Sequence, residues 1–484
     1  LEIHGGVGSC GSGVSVGQAT VQAASGSRPL TVLSGGVGTV RLRHLFVTTN
    51  NGTYNGDGGG IWFAGASASS RLELFDTRVN ANTASGDGGG IFVSQGKLVL
   101  STGAQVGLNV AHRGGGVAAF TGAVVEMRGA GVLSNRAELD GGGIFAPDAQ
   151  VIIENPSTQT TTFVGSNIAG QDGGGLYLAG QYDDSIGGIA AAPSVVNSNR
   201  AQRGAGIFID GSRVHLSYAQ VAFNAATGEG GGVHLTGYGG LSSSTFGDPP
   251  NLGEFPRLER NSAGEGAAIY VDDGGVVLSS GRIRDHHAGP GGAALMAAVV
   301  EGGLYLHGVV LESNALPALF TVYDSAQLQL EHATLVGNTV TGIVRWRGSD
   351  SSVEVLSTVL DETEPLFASF ETPAAPPVLA CVLSHYASSF SALPPGTDLS
   401  FVRIADPQLV APPADVHLRP TSPAIDLCPA YPWFDFEGEP RSHDDPYHAN
   451  VFGTGDAGAD EASALFADGY ESSGLGQWNG GHSP

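Results

Sequence analysis

Nine times between Gly58 and Leu295 the chain repeats one phrase: a run of small residues, then an aliphatic residue, then in most copies an aromatic one. The copies begin at Gly58, Gly88, Gly114, Gly141, Gly173, Gly204, Gly230, Gly266 and, in a worn form, Gly291. Their steps are 30, 26, 27, 32, 31, 26, 36 and 25 residues. Self-similarity on this scale marks a solenoid or array, because each unit is too small to bury a core without its neighbours. An asparagine stands five or six residues before the glycines in most copies: Asn82, Asn109, Asn135, Asn167, Asn199, Asn224 and Asn261. Ahead of it lies an alternating run such as Arg71-Leu72-Glu73-Leu74-Phe75.

Period-two alternation in short runs separated by Gly, Asn and Ser is strand and turn chemistry, and helical periodicity is almost absent. A propeller blade would need about four strands and a longer repeat. The expected fold is therefore all-β, a right-handed parallel β-helix of roughly a dozen coils stacked about 4.8 Å apart. The coils should fill residues 1–360. Pro-rich residues 361–461 should close over the end of the helix, and residues 462–484 should form a short tail. Gln181–Val195 and Thr236–Arg257 are too long for plain turns and are expected as projecting loops.

The 484 residues carry a formal net charge of −25, and Lys97 is the only lysine. That excludes nucleic acid as a natural partner, since phosphate binding needs clustered cations. No apolar run is long enough to span a bilayer as a helix. Cys381 and Cys428 lie in one region and are candidates for a disulfide, leaving Cys10 odd. The alternative is three unpaired small core residues.

The asparagine corner followed by Gly-Gly-(Ala/Gly)-Ile resembles the repeat of polymorphic-outer-membrane-protein β-helices, from about Asn50 to Ala294. Ser422-Pro423-Ala424-Ile425-Asp426, Asp435 to Arg441 and Asp456 to Glu461 are similar to the ends of secreted bacterial β-helix proteins. Leu465-Phe466-Ala467-Asp468-Gly469-Tyr470-Glu471 resembles a terminal motif of proteins exported by Gram-negative bacteria. The resemblance implies the fold and a place outside the cell or on its outer surface. It fixes no activity.

Strand side chains alternate between faces. Ile61 and Phe63, and their equivalents in each repeat, therefore point inward. The residues between them point outward: Trp62, Phe92, Ala118, Phe145, Tyr177, Phe208, His234 and Tyr270. Such a row is either a binding stripe for an extended glycan or protein, or a satellite core under loops. Just before the glycines stand Asp57, Asp87, Arg113, Asp140, Asp172, Arg203, Glu229 and Glu265. Stacked carboxylates repel unless cations or arginines intervene. Asp140 with Asp172, or Glu229 with Glu265, are candidates to hold Ca²⁺, the alternative being a solvated acidic edge. No cofactor is otherwise required.

The best acid–base cluster is Arg284, Asp285, His286 and His287, with Asp183-Asp184 and Asp272-Asp273 behind it. Asp435, His443, Asp444, Asp445 and His448 form a further group in the C-terminal region. The favoured function is a non-enzymatic extracellular scaffold or adhesin-like binding protein. The alternatives are a polysaccharide lyase or glycoside hydrolase, and a self-assembling subunit of an extracellular filament.

Overall fold

A computed structural model of the chain describes residues 1–4, 18–24, 26–34, 36, 38–49, 52–189, 191–243, 256–289, 292, 294–371, 373–429, 435 and 448–462. Nearly all regular structure in it is β, wound as a parallel solenoid. Each coil contributes three main strands. The first and second faces belong to one 27-stranded sheet, and the third face is a 13-stranded sheet running from Leu30–Ser34 to Phe367–Phe370. One coil reads Lys97–Leu100, Gln105–Gly107 and, after a corner, Val117–Ala119. Among the described residues, no helix is long and apolar enough to cross a membrane.

Registers run straight along the axis. Leu72, Leu98, Val125 and Val151 stack on the first face, and Val79, Val106, Val132 and Val164 on the second. Ile61, Ile91, Val117 and Ile144 stack on the third. All are essentially inaccessible to solvent and merge into one core down the axis. Each buried aliphatic side chain contributes about 1.5–3 kcal/mol, which no single coil accumulates alone.

The glycines are needed for two reasons. Gly88 opens its triplet at φ 71°, a left-handed conformation costly for other residues. Gly90 has an ordinary φ, but a Cβ there would lie 2.6 Å from the carbonyl of Gly116 and 2.8 Å from Nδ2 of Asn109. Only a hydrogen atom fits between the glycine corner and the asparagine. The worn copy is shifted by one residue from its sequence reading: Met296, not Leu295, pairs with Ile269 and takes the inward position.

The stacking continues past residue 360. Phe367–Phe370, Val378–Ala380, Val382–Ser384 and Val402–Ile404 each pair in parallel with the coil before. Phe390, Leu393 and Val402 pack against the main core. Residues 405–429 follow the flank of the rod. Leu409, Val416, Leu418, Ile425 and Leu427 bury themselves against Val310, Val336, Val359 and Leu383, which face outward from the second face. A Cys381–Cys428 disulfide ties this strap down, with Cα atoms 5.5 Å apart. Cys10 and residues 463–484 lie outside the described residues.

The two long segments are less loop-like than their length suggests. Asp183–Gly187 and Gly240–Ser242 are regular first-face strands, paired with Arg213–Ser217 and with one another's neighbours. Residues 188, 189 and 191–193 lie at a corner between the first and second faces, and residues 190 and 244–255 lie outside the described residues.

Candidate functional site

The outward row of the third face is a stack of rings. Successive centroids are 4.9 Å apart for Phe145–Tyr177, 5.2 Å for Tyr177–Phe208, 4.9 Å for Phe208–His234 and 5.0 Å for His234–Tyr270. The last three pairs lie within 13–22° of parallel. The row does not break at Ala118, because Phe120, two positions along the same side, places its ring 5.4 Å from Phe92 and 5.8 Å from Phe145. The same alternation that marks the other outward residues also marks Phe120.

The stripe faces outward but is only partly open. Phe145, Phe208 and His234 are each 3% exposed, while Trp62, Phe92, Tyr177 and Tyr270 are half-buried. The described cover consists of the rings themselves, the glycine corners and arginines. Cβ of Phe145 would be 2.6 Å from a Cβ on Gly141, and the guanidinium of Arg113 lies 5.0 Å from the Phe145 ring. Arg203 sits 5.2 Å from Phe208, and Arg28 lies over Tyr54 and Trp62 at 4.4 and 5.6 Å. Rings stacked one per coil turn their faces to each other and their edges outward. Burial raises the Tyr177 hydroxyl to about 12 and depresses the His234 imidazole to about 3, so both are neutral. Neither ring nitrogen of His234 has a hydrogen-bond partner.

Beside the rings runs the charged row. Arg113 reaches both oxygens of Asp87 at 3.2 and 2.9 Å, and Arg203 both oxygens of Asp172 at 2.8 and 2.6 Å. Arginine thus stands between carboxylates where a cation would otherwise relieve their repulsion. Asp140 accepts the N–H of Asp172 at 3.1 Å and is raised from the usual carboxylate range, chiefly by burial. Glu229 and Glu265 are backbone neighbours in adjacent coils, and Glu265 is likewise raised by burial. Among the described residues no group of three or more His, Cys, Asp or Glu is gathered around one point.

The acid–base candidates turn out to be parts of the corner. Among the described residues nine coils enter it through a residue at φ 52–57°, including Leu108, Phe223, Arg260 and Asp285, and in all but the Asp285 coil the next residue is a ladder asparagine. Asn109 shows the pattern: its Nδ2 donates to the Val79 carbonyl at 2.9 Å and to Oδ1 of Asn135 at 3.0 Å. Its Oδ1 accepts from the backbone N–H and the Nδ2 of Asn82, both at 3.0 Å. All four hydrogen-bonding positions of the amide are used, without water.

His286 occupies an asparagine position in that ladder, fully buried, and burial lowers its basicity to about 4. Asp285 is the left-handed corner residue and pairs with Arg260 at 3.2 Å. Arg284 pairs with Glu259 at 2.8 Å, and His287 is exposed in a short strand beside Ser262. The four candidates therefore serve four separate sets of contacts. Asp183 and Asp184 also part: Asp183 is exposed opposite Arg213, whereas Asp184 points into the core and accepts the N–H of Val151 at 2.6 Å. Burial raises Asp184 to about 6. Residues His443, Asp444 and Asp445 lie outside the described residues.

The ladder ends on Glu362. Its Oε1 accepts the backbone N–H of Asn338 at 3.1 Å and its Nδ2 at 2.6 Å, and burial raises the carboxyl to about 7. No protein-family model, curated protein or solved structure matches the chain.

Proposed function

We propose that this chain is an exported, non-catalytic rod whose third face holds an extended partner, a glycan or a protein, at the outer surface of a bacterium. The observation that carries this reading is the repetition on that face. A ring recurs in each coil from Trp62 to Tyr270, beside a charged row of carboxylates interrupted by Arg113 and Arg203. A ligand that repeats along its length meets a similar set of groups about every 4.8 Å. Half-buried aromatic surface with a polar margin is the usual character of such a contact. The Cys381–Cys428 disulfide supports an oxidising compartment.

The strongly shifted groups His286, His234, Glu362 and Asp184 are spread along corner, stripe and core, each inside packing that shapes the rod. That distribution favours a binding role over a lyase or hydrolase. The test is binding of the purified chain to cells and to a glycan panel, compared with the triple variant Trp62→Ser, Phe92→Ser, Tyr177→Ser. We expect at least tenfold weaker binding with circular dichroism unchanged. Undiminished binding would exclude the stripe, and release of new sugar ends by the native chain would replace this reading with an enzymatic one.

A further inference from the structure

The stack of rings stops at Tyr270. The next rungs in register are Ala297, Thr321 and Arg345, so among the described residues the in-register stack carries no ring beyond Tyr270. In the strand Val344–Arg347, Val344 and Trp346 are buried in the core, and Arg345 and Arg347 share the outward side. Tyr323 is paired with Arg347, and Thr321 with Arg345.

These two arginines differ from the others beside the stripe. Arg113 and Arg203 are each held bidentately by an aspartate. Among the described residues no carboxylate comes within 4.0 Å of Arg345 or Arg347. An acidic group facing them is Glu265, whose carboxyl burial holds above the usual carboxylate range while Arg345 and Arg347 pull it down. A chain of net charge −25 therefore holds two guanidiniums on one outward side, three coils beyond Tyr270, without a described carboxylate within 4.0 Å. Glu229 and Asp272 lie near Tyr270, which places the anion-accepting point at the arginines, not over the stack.

Planar guanidiniums favour carboxylate and sulfate oxygens, and tyrosine adds ring surface and a hydroxyl. We propose that Arg345 and Arg347, with Tyr270 and Tyr323, form a subsite for the acidic group of an anionic saccharide, a carboxylate or sulfate carried on a sugar ring. This rests on the third face being the binding surface. The overall acidity of the rod repels polyanions, so binding of this class reports a local site and not general attraction.

The experiment is calorimetric titration of the full chain with oligogalacturonate, a sulfated oligosaccharide and a neutral cello-oligosaccharide. The native chain and the Arg345→Gln/Arg347→Gln variant are compared, with melting temperature as the control for folding. The expected result is at least tenfold preference for an acidic ligand, lost in the double variant while neutral binding and melting are unchanged. Comparison of the two acidic ligands separates carboxylate from sulfate. Equal binding of acidic and neutral ligands, or an unaffected double variant, overturns the subsite but leaves the stripe intact. No binding of any of the three overturns the subsite outright. In that case the cell-binding result for the Trp62, Phe92 and Tyr177 variant alone decides the stripe.

Discussion

Asn261 gives its backbone N–H to Nδ1 of His286 at 3.1 Å, while Nε2 of the same ring donates to the Leu258 carbonyl at 2.9 Å. The imidazole thus copies half of an asparagine amide. Its acceptor nitrogen replaces Oδ1 and its N–H replaces one Nδ2 hydrogen. This fixes the neutral tautomer with the proton on Nε2. What the ring lacks is the side-chain link to the next rung. Asn261 passes no side-chain hydrogen bond to it, and Asn314 Oδ1 accepts only the backbone N–H of His286.

His286→Asn should therefore stabilise the rod by about 1 kcal/mol at pH 7, the worth of restoring a buried hydrogen bond. The native imidazole stays neutral to about pH 4 when folded, whereas the unfolded chain takes up its proton near 6.5. The native chain accordingly loses stability as pH falls from 6.5 towards 4, and the variant's advantage should widen over that window. Denaturant titrations at pH 7 and pH 5 check this. A gap that stays constant or shrinks would refute it.

Glu362 should behave in the opposite sense. Its folded carboxyl titrates at about 7, above its ordinary 4.5, so its stabilisation is complete at low pH and is lost as pH rises through 7. Glu362→Gln, which keeps the acceptor and removes the charge, should gain up to about 3 kcal/mol over the native chain at pH 8 and nothing at pH 4.5. Melting curves across that range are the measurement.

His234→Phe should raise stability by about 1 kcal/mol, because it keeps the stack on Phe208 and Tyr270 and removes a buried ring with neither nitrogen bonded. Phe208→Ser, at a site only 3% exposed, should cost about 3 kcal/mol. The pair separates stacking from polarity on one stripe, and thermal melts read both.

Leu108 is 62% exposed yet held at φ 57°. Leu108→Gly relieves left-handed backbone strain without uncovering a core and should gain about 1 kcal/mol. A loss would show that the exposed leucine has a packing role.

Replacing Cys381 and Cys428 by serine should free the strap from a closed loop of 47 residues and cost roughly 3–4 kcal/mol by the chain-entropy argument. Limited proteolysis should then cut first within residues 405–429, while the coils up to Asp361 resist. Uniform digestion would show that strap and coils melt together.

The coil was legible because its causes are local. A glycine that must sit against an asparagine, and an aliphatic residue on every second strand position, both mark the sequence directly. The outward direction of Trp62, Phe145 and Tyr177 followed from the same parity. Their burial did not, since it depends on the rise between coils bringing the rings to 4.9–5.2 Å of one another, as in Phe145–Tyr177 and Tyr177–Phe208. His286 was misleading for a related reason. Beside Asp285 and His287 it looks like acid–base chemistry, and only its register with Asn261 and Asn314 shows a ladder position. The strap was hidden because Val310, Val336 and Val359 meet Leu409 and Ile425 across sequence distances that no local pattern records.

The asparagine ladder also governs how a rod of this kind can change length. Each amide hands on the same bonds that it receives, so a whole coil can be removed or duplicated between Asn109 and Asn199 and the two sides rejoin with every donor matched. Part of a coil cannot, because it would strand an amide in a dry interior. Growth therefore proceeds in complete turns.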